Sequence, residues 1–124
     1  MPHLTLQATP NVTIPHEESL LKALNQALWN SGHFGKAIDI KARILPLDTF
    51  LVGVEDDEQE QGFIYAHLKL MAGREDKIRD ELAQLLVTTI EQEIGDAQSG
   101  RASVQICVEV EEISPIYHKK ILGC

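Results

Sequence analysis

Phe63-Ile64-Tyr65-Ala66-His67-Leu68-Lys69-Leu70-Met71 is the stretch on which the fold turns. Ile64, Ala66, Leu68 and Leu70 alternate with Tyr65, His67 and Lys69, the period of a strand with one apolar face. A helical period then takes over. Ile78, Leu82, Leu85, Leu86, Ile90 and Ile94 mark a helix from about Glu75 to Ile94, with Gly95 as its stop. A further strand from Ala102 to Glu112 sets Val104, Ile106, Val108 and Val110 on one face. Strand, helix and strand in that order form a β-α-β unit.

The same plan lies upstream. His3 to Ala8 reads as a strand, and the segment around Pro10 and Pro15 as a loop. A helix follows from about Glu17 to Ser31, carrying Leu20, Leu21, Leu24 and Leu28, with Glu17 and Glu18 in its first turn and Gly32 at its end. A second strand is expected from about Ala37 to Leu45, with Ile38, Ile40, Ala42 and Ile44 on one face and Asp39, Lys41 and Arg43 on the other. The chain thus reads as one domain, residues 1–124, made of two pattern-related halves of about 1–61 and 62–124. A shift of 62 sets Pro2 opposite Ile64, and a shift of 64 sets Lys41 opposite Gln105, so the two helix regions are expected to differ by about two residues.

Each half predicts two parallel strands joined by a right-handed helical crossover. Together they predict an α+β fold: a four-stranded sheet with both helices on one face. The other face would carry His3, Thr5, Gln7, Lys41, Arg43, Tyr65, His67 and Lys69, or the apolar set if the facing were reversed. A half-bare sheet rich in β-branched residues points to self-association.

Composition narrows the function classes. With 44% hydrophobic and 24% charged residues the chain has the make-up of an ordinary globular protein. No apolar run approaches the ~20 residues of a membrane span, and the N-terminus lacks a secretory pattern. The net charge of −8 argues against a nucleic-acid partner. Glu55-Asp56-Asp57-Glu58 reads as a solvated loop without the spacing of a calcium site. Five histidines show no metal-ligand spacing, so no metal is expected. Cys107 reads as a small core hydrophobe, Cys124 ends the chain, and two such cysteines suit a reducing cytoplasm. Neither a nucleophile elbow nor a Gly-rich phosphate loop is present.

Pro2 stands out by its place. A small residue behind Met1 invites removal of the methionine, which leaves a free secondary amine in place of an amide. Alternation sets Pro2 on the face of Leu4 and Leu6. An amine held against apolar groups is desolvated, its pKa falls toward neutrality, and it becomes a usable base. The residues that suit an acid substrate are cations: Lys41 and Arg43 on one strand face, and Arg74 between a strand and a helix start. At that junction Arg74 either receives an anion beside helix N–H groups or merely pairs with Glu75 or Asp76. The tail Tyr117-His118-Lys119-Lys120-Ile121-Leu122 reads as an interface segment.

These segments in order carry a resemblance: Pro2-His3, Ile38-Asp39-Ile40-Lys41-Ala42-Arg43 with Leu47-Asp48-Thr49, Phe63 to Leu70 with Ala72-Gly73-Arg74, and Val108-Glu109-Val110-Glu111-Glu112-Ile113 before Pro115. The chain resembles the 5-carboxymethyl-2-hydroxymuconate delta-isomerase family of the tautomerase superfamily. The resemblance implies a tautomerase-like homotrimer that needs no cofactor and no metal. It implies a small anionic unsaturated 2-hydroxy/2-oxo acid as substrate and Pro2 as general base. Arg74 matches a family arginine that binds carboxylate or steadies the dienolate, and Arg43 matches a second. Lys41 stands where the family usually has arginine, and lysine keeps the charge but not the two-pronged fit. The alternatives are a phenylpyruvate-type or promiscuous tautomerase, and a non-catalytic ligand-binding or assembly module of ferredoxin-like type. Only the first half can supply a terminal amine, so one working site per chain is expected.

Overall fold

Apolar alternation along residues 61–70 becomes the longest central strand of the sheet. The computed structural model describes residues 1–54 and 60–123. The acidic run Glu55 to Glu58 lies outside the described residues. In chain order the elements are β1 (His3–Ala8), α1 (Glu17–Asn30), a 3-10 turn (Ala37–Asp39) and β2 (Lys41–Pro46). There follow β3 (Gln61–Leu70), α2 (Asp76–Ile94), a second 3-10 turn (Asp96–Gln98) and β4 (Ser103–Glu112).

The sheet order is β2-β1-β3-β4. β1 runs parallel to β2 and β3 parallel to β4, while β1 and β3 meet antiparallel in the middle. Leu4, Leu6, Ile64, Ala66 and Leu68 face the helices and are fully buried against Leu20, Leu24, Leu28, Leu82, Leu86 and Ile90. Both helices cover this one face, as the sequence predicts. Apolar area removed from water at roughly 25 cal/mol per Å² makes that layer the main stabilising term.

Three local readings change. Residues 37–39 are a 3-10 turn and not strand, closed by Asp39 N–H to the Lys36 carbonyl and Ile40 N–H to the Ala37 carbonyl. Ile38 therefore leaves the apolar face and is 84% exposed. Cys107 pairs across from Tyr65 on the bare face, and is not part of the helix-covered core. The crossovers also differ by four residues and not two: Lys41 pairs with His3, whereas Cys107 pairs with Tyr65. The residue that occupies Pro2's place in the ladder is Glu60 and not Ile64. Lys41 N–H donates to the Pro2 carbonyl at 3.1 Å, and Ser103 N–H donates to the Glu60 carbonyl at 3.1 Å.

The bare face is polarised. Arg43 on β2 and His3 on β1 meet at one side, while His67, Glu109 and Glu111 gather at the other. His67 Nε2 lies 2.7 Å from Glu111 Oε1, and Lys69 Nζ lies 3.5 Å from the same oxygen. The Tyr65 hydroxyl donates to Glu109, and this bond, with the charges of Glu109 and Glu111, holds the phenol pKa above its ordinary value.

One close approach fixes where β1 ends. A Cβ on Gly62 would sit 2.5 Å from Asn11 Oδ1 and 2.7 Å from Thr9 Oγ1. Those atoms are committed: Thr9 Oγ1 donates to Asn11 Oδ1 (2.6 Å) and accepts from Phe63 N–H (3.0 Å), and Asn11 Nδ2 donates to the Gln61 carbonyl (2.9 Å). Gly62→Ala is expected to destabilise the fold by about 1–3 kcal/mol, the usual cost of overpacking, as measured by chemical denaturation. A wild-type midpoint would contradict this packing.

Candidate active site

Four segments meet where β1 and β2 begin and β3 and β4 finish, because β1 runs antiparallel to β3. Pro2 is buried at that end, and its carbonyl is pinned by the first hydrogen bond of the β1–β2 ladder. The terminal amine, here on Met1, is held below its ordinary pKa. Desolvation is the largest cause. The carboxylate of Asp39 opposes the shift, and the charges of Lys41, Arg74 and Lys119 add to it. Three cations and one carboxylate therefore bear on the start of the chain.

Each cation arrives by a different route. Lys41 opens β2 and pairs with His3, and its Nζ donates to the Asp39 carbonyl. Burial and the neighbouring Lys119 charge lower the Lys41 pKa. Arg74 follows β3 directly before the capping residue of α2, Glu75. Its Nη2 donates to the His33 carbonyl at 2.9 Å, and its guanidinium carbon lies 5.1 Å from the centre of the Phe34 ring, in cation–π range. Asp76 pairs with Arg79. Among the described residues no ion pair joins Arg74 to Glu75 or Asp76, so the surface-pair alternative does not describe it.

Arg43 stands one pleat further out. Its Nη2 donates to His3 Nδ1 at 2.8 Å, and its Nη1 lies 3.4 Å from Thr5 Oγ1. An arginine only donates, so His3 Nδ1 is the acceptor and Nε2 carries the proton, donating to the Tyr117 hydroxyl at 2.8 Å. Burial, then the charge of Arg43, lowers the His3 pKa, which favours the neutral ring that this hydrogen-bond arrangement needs. Arg43 is thus a neighbour of a neighbour, and the amine feels Lys41 and Arg74 ahead of it.

The sequence did not single out Asp39, His3, Tyr117 or Lys119 for this site. The tail does not project outward from this corner. Ile113 N–H donates to the Leu70 carbonyl at 2.6 Å, Tyr117 meets His3, and Lys119 Nζ reaches 3.4 Å from Asp39 Oδ1 and 3.1 Å from Met1 Sδ. A cleft of about 750 Å³ opens at the opposite end of the strands, lined by Asn11, Thr13, Glu60, Arg101 and Ser103 among others. None of the four predicted site residues lines it.

A family description, "5-carboxymethyl-2-hydroxymuconate isomerase", matches residues 2–121. The chain belongs to this isomerase family. The solved 5-carboxymethyl-2-hydroxymuconate isomerase from Deinococcus radiodurans R1 is 24% identical, covers 98% of this chain and 90% of its own, and superposes with a TM-score of 0.82. A solved 5-carboxymethyl-2-hydroxymuconate delta-isomerase shares the fold at 14% identity, with 98% and 88% covered and a TM-score of 0.82. A symmetric trimer of fused 4-OT matches at 20% identity, with 87% and 84% covered and a TM-score of 0.61. No curated protein sequence matches the chain. Membership of this family supports an isomerase, and the solved neighbours share its fold. Among the described residues no helix is long and apolar enough to cross a membrane, and no three His, Cys, Asp or Glu side chains gather as a metal centre would need.

Proposed function

We propose that the chain is a cofactor-independent isomerase that moves a proton between carbons of an unsaturated 2-hydroxy/2-oxo acid, such as 5-carboxymethyl-2-hydroxymuconate. Pro2, freed of Met1, takes the proton from one position of the conjugated acid and returns it to another. Electron density shifts along the conjugated system to the 2-oxygen as the proton leaves. Arg74 and Lys41 stabilise the dienolate and bind substrate carboxylate, and Arg43 supports them through His3. One observation carries this reading: Pro2 is buried beside a partly buried terminal amine on which three cations and a single carboxylate bear. Desolvation and positive neighbours both favour the neutral amine, the form that accepts a proton. The enzyme acts as a homotrimer, a reading supported by the bare sheet face and by the trimeric 4-OT neighbour.

The sign of the pH dependence follows. A base whose pKa is lowered stays neutral further down in pH, and activity fades as pH falls through that lowered value. The same surroundings, acting on the Pro2 amine once Met1 is removed, are expected to set the acid limb of kcat/KM below the ordinary range of a terminal amine. Lys41→Ala removes one positive neighbour and should move the limb toward higher pH. The deciding experiment is an ultraviolet assay of enol-acid ketonisation across pH, with the N-terminal mass read on the same sample. Turnover tracking the fraction that begins at Pro2 supports the proposal. Equal turnover from protein that retains Met1 overturns it.

A further inference from the structure

Lys119 reaches this site from the tail that follows β4, beyond the last strand of the sheet. The segment that carries it is tied down in two places. Ile113 N–H bonds the Leu70 carbonyl, and the Tyr117 hydroxyl accepts from His3 Nε2, its ring edge-on to the imidazole at 5.9 Å and 69°. Two residues beyond that anchor, Lys119 is an exposed residue whose side chain, 28% exposed, folds back to set its ammonium at the chain start.

Its partners there are few. Asp39 Oδ1 accepts at 3.4 Å, and the other atom in reach is Met1 Sδ at 3.1 Å, a thioether that is a weak acceptor. Removal of Met1 would take that sulfur away. An ammonium has three donors, so Lys119 would then hold one long contact and spare donors. Lys41 does not relieve the charge, since it uses the Asp39 carbonyl and not its carboxylate. Arg74 is likewise bonded to backbone carbonyls. At this corner Lys41, Arg74 and Lys119 bear on the chain start with the single carboxylate of Asp39, and Glu112, the carboxylate beside Gly73, is held by Gly73 N–H and Arg79. This is the setting in which an anion with several carboxylates is held.

We propose that Lys119 is a substrate-binding residue that takes a carboxylate remote from the reacting carbons, and so selects polycarboxylate over monocarboxylate enol acids. The proposal rests on the isomerase reading above. Lys41 and Arg74 serve the carboxylate and oxygen at the reacting end, and the tail lysine grips the far end. Asp39 aims the lysine and is not its final partner. An ordinary exposed Lys–Asp pair at this distance would contribute little and would show no substrate preference.

The test compares Lys119→Ala, Lys119→Arg and wild type, each with Met1 removed, on 5-carboxymethyl-2-hydroxymuconate and on the enol of phenylpyruvate. Lys119→Ala is expected to lower kcat/KM about ten-fold more for the tricarboxylate than for the monocarboxylate, mostly through KM, with Lys119→Arg recovering most of the loss. Titration calorimetry with a saturated tricarboxylate, which cannot react, should show a matching loss of affinity. Equal losses on both acids, or none, with unaltered tricarboxylate affinity, overturn the role of Lys119. Pro2→Ala in parallel separates the two readings. If it leaves turnover of both acids at the wild-type rate, the isomerase mechanism falls, whereas the binding measurement still judges Lys119.

Discussion

Pro2→Ala, in protein whose mass shows loss of Met1, is expected to lower turnover of enol acids by about 10²–10⁴-fold, the usual contribution of a positioned general base. The variant still ends in an amine, so residual activity is expected. What it lacks is a ring nitrogen held at one place and one basicity. The fold should survive, because the ladder bond from Lys41 N–H uses the carbonyl of residue 2, which alanine also has. The stability lost should be no more than about 1 kcal/mol, through a less restricted unfolded chain. Full activity in Pro2→Ala with a normal thermal transition would remove Pro2 as the base.

The second large effect belongs to Arg74. Arg74→Ala should lower kcat/KM by about 10²–10³-fold, comparable to removing one donor from an oxyanion site. Arg74→Lys should recover only part of this, since an ammonium retains the charge without the planar fork. The arginine also supports the fold, through the His33 and Met71 carbonyls and the Phe34 ring. Truncation leaves the half-buried His33 carbonyl without that donor, a cost of about 1 kcal/mol. Kinetics and denaturation measured together separate these roles. A loss of stability with unchanged kcat/KM would make Arg74 a structural residue only.

Much of the fold was legible because half-buried strands and one-sided helices leave clear periods. Residues 63–70 and 78–94 specified β3 and α2 almost to their ends. Ile38 was misread because alternation cannot register a turn. Ala37, Ile38 and Asp39 continue the strand pattern of residues 40–44, yet the backbone closes into a 3-10 turn there. Pro2, Lys41 and Arg74 were legible as candidates because each adjoins the start or end of a periodic segment, and parallel and antiparallel pairing brings such ends together. Lys119 and Tyr117 were not. They lie in an aperiodic tail, and their contacts to Met1 and His3 span 118 and 114 residues of sequence. No local pattern encodes a contact of that range. Asp39 continues the strand alternation of residues 40–44 in sequence, and only the 3-10 turn brings it toward the chain start.

The hydrogen bond from Lys41 N–H to the Pro2 carbonyl has an entropic side. A lysine or glutamate serving as base must have its rotatable bonds frozen, at up to about 2 kcal/mol of side-chain freedom, before it can act. A ring nitrogen at the end of a strand has no such bonds to freeze. Its position is part of the backbone, set by the same ladder that registers β1 against β2. In the proposed mechanism the sheet does the aiming, and the ladder bond that registers β1 against β2 also places the base.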